Sequence, residues 1–141
     1  MSFHKLYYHF VWGTKNRARI ILPEFEARLY AAIIAKVKDL EGYVHAVDGI
    51  DEHTHLAASV PPKVAVARFI GEVKGNSSHF VNFVIKPGFD FYWQEEYGVL
   101  SFGEKDLPAI VNYIHNQKKH HADGTYREIM ERTSPEGASL E

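Results

Sequence analysis

Two places in this sequence carry side chains whose types and spacing allow them to do chemistry together. One is His53-Thr-His55; the other is Tyr113-Ile-His-Asn-Gln117. Imidazole nitrogens and an amide oxygen are ligands for a divalent cation, and two imidazoles plus one amide leave coordination positions open for a substrate oxygen. A phenol is a nucleophile, but with a reference pKa of about 10 it is a weak one at neutral pH, and a phosphodiester repels it. A cation addresses both difficulties by polarising a phosphate oxygen and favouring the phenolate. The chain has no cysteine, so thiolate sites and disulfides are excluded and any metal must be held by nitrogen and oxygen.

Strand geometry is needed to bring the two histidines together. Residues 53–60 alternate: Thr54, Leu56, Ala58 and Val60 are apolar or β-branched, while His53, His55, Ala57 and Ser59 fall between them. Side chains alternate across a strand, so both imidazoles leave one face about 7 Å apart, within reach of one ion. Nine histidines in 141 residues make a chance His-x-His common, so the pair takes its meaning from this placement. Tyr113 and Gln117, four apart, project from one side of a helix near the Ile110/Ile114 stripe.

The remaining elements follow from periodicity. Leu6–Gly13 is aromatic and β-branched and reads as a first strand leaving through the polar turn Thr14–Arg19. After Pro23, Phe25, Leu29, Ile33, Val37 and Leu40 recur at helical spacing and stop before Gly42. Residues 43–50 and 53–60 form a hairpin around Asp51-Glu52. A second helix carries Val66, Phe69, Ile70, Val73 and Phe80, and Lys86-Pro-Gly88 ends it. Phe91–Phe102 supplies a fourth strand, and a third helix carries Ile110, Val111 and Ile114.

The order βαββαβ plus a last helix predicts an α+β, ferredoxin-like (RRM-like) sandwich. Its antiparallel sheet has helices on one face, an open face for the site, and a C-terminal helix carrying the tyrosine. One domain is expected over 1–132, with 133–141 (TSPEGASLE) as a disordered tail too poor in apolar residues to pack.

A net charge of −2 argues against a protein that coats duplex DNA, but a local basic groove remains open to Lys15, Arg17, Arg19, Arg68, Lys74, Lys118 and Lys119. His9 and His45 could face the open surface and replace a proposed ligand, but core or surface roles are expected; His79, His120 and His121 read as solvated or DNA-facing, and Trp93 and Tyr97 as core or interface residues. No secretory leader or membrane span is legible, so a cytoplasmic protein is expected.

Together these residues resemble a known family, the single-tyrosine HUH transposases of prokaryotic insertion sequences with their REP-associated relatives. The resemblance runs from about Leu6 to His121. It is carried by Thr14-Lys-Asn-Arg17, by Asp51-Glu-His53-Thr-His55-Leu56, by Trp93-Gln94 with Tyr97-Gly98 and Ser101, and by Tyr113-Ile-His-Asn-Gln117. The resemblance implies single-stranded DNA cleavage and rejoining through a covalent 5′-phosphotyrosine. Tyr113 would be the nucleophile, and His53, His55 and Gln117 would bind magnesium or manganese. It also implies a homodimer acting on the hairpin ends of a mobile element, with no nucleotide cofactor. One departure is Thr54, where the family has a bulky apolar residue; its hydroxyl needs a hydrogen-bond partner. Rival readings are a non-enzymatic single-strand nucleic-acid-binding domain and a metal-dependent phosphodiester hydrolase.

Overall fold

The computed structural model describes residues 2–136. Its first strand, β1 (Tyr7–Gly13), leads through a tight turn to α1 (Pro23–Asp39), then to the hairpin β2 (Tyr43–Ile50) and β3 (His53–Ser59). Helix α2 (Val66–Phe80) follows and continues into a π-helical turn at Val81–Ile85, and β4 (Gly98–Phe102) completes the sheet. Three short helices close the chain: α3 (Leu107–His115), α4 (Gln117–Asp123) and α5 (Glu128–Glu131). The strands are all antiparallel, in the order β2-β3-β1-β4.

The alternation read from β3 sets the two faces. Leu56 and Ala58 join Phe10 and Trp12 of β1 against Phe25, Leu29, Ile33 and Val37 of α1 and Phe69, Ile70 and Val73 of α2. Each buried Leu, Ile, Val or Phe side chain among these contributes about 1.5–3 kcal/mol. On the reverse face, Ala46 and Ala57 pack with Ile110, Tyr113 and Ile114 of α3 and Met130 of α5. The sheet therefore has helices on both faces, which corrects the expectation of an open one. The reason lies in α3, whose apolar stripe must be buried and finds the surface that α1 and α2 leave uncovered.

Two further elements differ from expectation. The fourth strand is only Gly98–Phe102, because Phe91 is held outside the ladder: its N–H donates to Asn82 Oδ1 (2.7 Å) and its carbonyl accepts from Asn82 Nδ2 (2.9 Å). Trp93 makes a single bridge to Thr14 and packs edge-on against Trp12. The expected continuous tyrosine helix breaks at Asn116, so Tyr113 lies in α3 and Gln117 opens α4. Of the expected tail, Thr133 is buried, at 6% exposure, and positions 137–141 lie outside the described residues.

Candidate active site

His53 and His55 leave β3 toward α3–α5 and are fully buried. Each has its Nδ1 engaged. His53 Nδ1 hydrogen-bonds Glu52 Oε1, and Glu52 also receives Arg17 Nη1 at 3.0 Å. An ionised carboxylate only accepts, so His53 carries its proton on Nδ1 and turns Nε2 inward. His55 Nδ1 shares one proton with His9 Nε2 at 2.8 Å, their rings stacked at 5.0 Å.

The inward nitrogens meet a group that sequence reasoning missed. Glu131, from α5, is 1% exposed, and its Oε1 lies 3.2 Å from His53 Nε2, 3.1 Å from His55 Nε2 and 3.2 Å from His121 Nε2. Its Oε2 accepts the Tyr113 hydroxyl, and the Arg127 N–H donates to the same phenol oxygen at 2.9 Å. Gln117 Oε1 stands 3.2 Å from His53 Nε2. The cluster thus brings together all four of the expected groups: Tyr113, His53, His55 and Gln117. It also recruits His121, expected at a solvated or DNA-facing position, and His9, which lies behind His55. Little in the sequence marked Glu131 beyond the apolar pair Ile129-Met130 beside it. The chain returns there because Gly124, at φ 69°, ends α4 and turns the segment back.

The electrostatics divide the histidines. Burial pushes His55 down to about 4 and His9 down to about 3, so both are neutral at physiological pH. Burial also works against charge on His53, but the Glu131 and Glu52 carboxylates outweigh it and lift that group to about 8. Glu131 is held far below the usual carboxylate range because the bonds from His121, His53 and His55 overcome its burial. Tyr113 is raised above its ordinary value by burial and by the neighbouring Glu131 charge. Unaided, then, the site keeps its phenol protonated.

His53, His55, His121 and Glu131 each offer one ligand atom, and these lie within 4.8 Å of one another. This donor set suits a divalent cation. A cleft of about 360 Å³, lined by Arg19, Ile50, Asp51, Glu52, Lys118, His121 and Ala122, opens beside His121 at the edge of the cluster.

The expected DNA-facing cations divide by environment. Arg17 is corrected: Asn16 and Arg17 adopt left-handed backbone (φ 59° and 52°), which turns the Arg17 guanidinium inward to Glu52, and it is 8% exposed. Lys74 is spent clamping the carbonyls of Gln94, Glu95 and Glu96. Arg68 pairs with Glu72 at 3.0 Å on the far side of the sheet. Arg19 and Lys118 flank the cleft, paired with Asp51 and with Glu26 and Asp48. Lys15 and Lys119 are exposed and without ion pairs among the described residues.

Residues 2–117 match the profile of the family described as Transposase IS200 like. The ISDra2 transposase TnpA of Deinococcus radiodurans is 28% identical over 122 residues, covering 81% of this chain and 85% of that protein. The transposase for insertion sequence element IS200 of Salmonella typhimurium is 27% identical over 134 residues, covering 91% and 87%. Among solved structures, one assigned as a candidate transposase from Deinococcus radiodurans superposes with a TM-score of 0.64 at 26% identity, covering 82% of this chain and 93% of that one. The REP-associated tyrosine transposase bound to a REP hairpin superposes with a TM-score of 0.63 at 20% identity, covering 92% and 78%, a likeness of fold. Since the profile spans most of the chain, this protein belongs to the IS200-like transposase family, enzymes of DNA cleavage and strand transfer.

Proposed function

We propose that this transposase cuts and rejoins single-stranded DNA through a covalent 5′-phosphotyrosine on Tyr113. The single observation that supports it is the meeting of the Tyr113 hydroxyl with the His53, His55 and Gln117 donors in one buried cluster. His53, His55 and Gln117 would hold magnesium or manganese, which supplies Lewis acidity toward a non-bridging phosphate oxygen.

The protein's own groups do the rest. Glu52 and His9 orient the two imidazoles from behind. Tyr113 Oη attacks phosphorus, the bond to the 3′ oxygen breaks, and the phenol proton ends on that oxygen; Glu131 Oε2, which accepts the phenol's hydrogen bond, orients it for attack. The phosphate bond energy is kept in the tyrosine ester, so reversal with a new 3′-hydroxyl rejoins the strand. Exposed Lys15, Arg19, Lys118 and Lys119 give the DNA backbone its cationic contacts.

Tyr113 stands beside the histidines of its own subunit, with ring centroids of Tyr113 and His55 6.0 Å apart, so one chain carries a complete set of groups. We retain a homodimer as the working assembly; sedimentation at micromolar concentration should give two chains per particle, and a clean monomer would exclude it. In the described residues no helix is long and apolar enough to cross a membrane.

Labelled single-stranded DNA incubated with the protein and manganese tests the chemistry. A denaturation-resistant adduct, absent in Tyr113→Phe, is expected. Fragments without an adduct would point to a hydrolase that uses water, and binding without cleavage to a nucleic-acid-binding domain.

A further inference from the structure

The family profile ends at residue 117, yet two donors of the cluster lie beyond it, His121 in α4 and Glu131 in α5. We infer that Glu131 and His121 are metal ligands in this chain beside His53, His55 and Gln117, so that a C-terminal segment supplies a third imidazole and the only charged ligand of the set. This rests on the metal-dependent reading above and adds two ligands to it.

The convergence of four donor atoms on one point carries the inference. A buried carboxylate must be met by hydrogen-bond donors or by a cation. Glu131 Oε2 has the Tyr113 hydroxyl, but Oε1 faces three imidazole Nε2 atoms at 3.1–3.2 Å. Meeting it with three N–H groups would require a proton on every one of those nitrogens. One divalent ion between the lone pairs of neutral imidazoles and the carboxylate satisfies the same atoms with fewer protons. Ligand bonds of about 2.0–2.2 Å place donors on one ion within about 4.4 Å of each other. The four atoms here lie within 4.8 Å, so shifts of under an ångström close the set.

The fold is also built to deliver Glu131. The chain lies across β4 at Gly98, where a Cβ would collide with the Arg132 carbonyl. A side chain at position 98 would lift Arg132, and Glu131 with it, from the cluster. With three imidazoles and one carboxylate, the site should prefer manganese to magnesium.

Calorimetry of the full chain with manganese chloride, without DNA, tests this. Glu131→Gln and His121→Ala should each lower manganese affinity by about tenfold or more. Gly98→Ala, which touches no ligand, should lower it as well. Affinity within twofold of wild type in Glu131→Gln or His121→Ala overturns the assignment. His53→Ala separates the two levels: if it abolishes binding while Glu131→Gln leaves affinity within twofold of wild type, the metal-dependent reading stands and this inference falls, and if manganese binding survives His53→Ala, both fall. Electron spin-echo spectroscopy of manganese on the unmutated protein avoids any folding defect; three coordinated imidazole nitrogens are expected, and two would refute the role of His121.

Discussion

Thr54 sits between the two histidines but points the other way, into the core under α1 and α2. It is fully buried, and its Oγ1 has no hydrogen-bond partner among the described residues. A hydroxyl left unpaired in an apolar interior costs about 1–3 kcal/mol. Thr54→Val keeps the β-branched shape that suits a strand and replaces the hydroxyl with a methyl group of similar size. The cavity is unchanged, so the gain is the desolvation penalty removed, about 1–2 kcal/mol. For a chain of 141 residues that corresponds to a rise in Tm of roughly 2–8 °C. Urea unfolding should show the same gain as a higher midpoint at unchanged slope. Manganese affinity should stay within twofold, because residue 54 faces away from the site. A drop in stability would refute the reasoning and would imply a buried water joining Thr54 Oγ1 to Trp12 Nε1, its likewise unpaired neighbour across the ladder.

Metal-free protein should be most stable at about pH 6.5–7. His9 and His55 have folded values of about 3 and 4, below the unfolded 6.5, so the unfolded chain binds more protons as pH falls. Stability is then lost on acidification, on the order of 2 kcal/mol per group by pH 5. His53, lifted to about 8, adds stability that is complete below 6.5 and lost as pH rises through 8. Equal stability at pH 7 and pH 5 in denaturant titrations would contradict this. His9→Phe keeps a ring against His55 but removes its Nδ1 partner, so manganese affinity should fall about tenfold or more by calorimetry; unchanged affinity would mean that His55 is oriented by something else. Arg17→Met strands the buried Glu52 charge and should cost about 3–5 kcal/mol in denaturant unfolding. A loss under 1 kcal/mol would mean that Glu52 is adequately held by His53 alone.

The sheet was legible because β1 is an aromatic and β-branched run, β3 alternates apolar residues with histidines, and α1 repeats its apolar residues at helical spacing. The shared face of His53 and His55 follows from the same alternation, and Tyr113 and Gln117 from their spacing. What the sequence did not disclose depends on tertiary contacts. Phe91 and Trp93 have strand-like residue types, yet Asn82 pairs with the Phe91 backbone and takes it out of the ladder. Arg17 looked like a surface cation until two left-handed residues turned it inward. Glu131 lies 76 residues from His55, in a stretch without apolar periodicity, so only the returning chain reveals that it belongs to the site.

Peptide mapping of the trapped DNA adduct bears most directly on the transferase mechanism. The chain has eight tyrosines, and trypsin releases segment 106–118 with Tyr113 as its sole tyrosine. After manganese-dependent reaction with single-stranded DNA and nuclease trimming, mass spectrometry should find a 5′-phosphonucleotide on that peptide alone. A nucleotide on any other tyrosine, or cleaved DNA with every tyrosine unmodified, would contradict the mechanism.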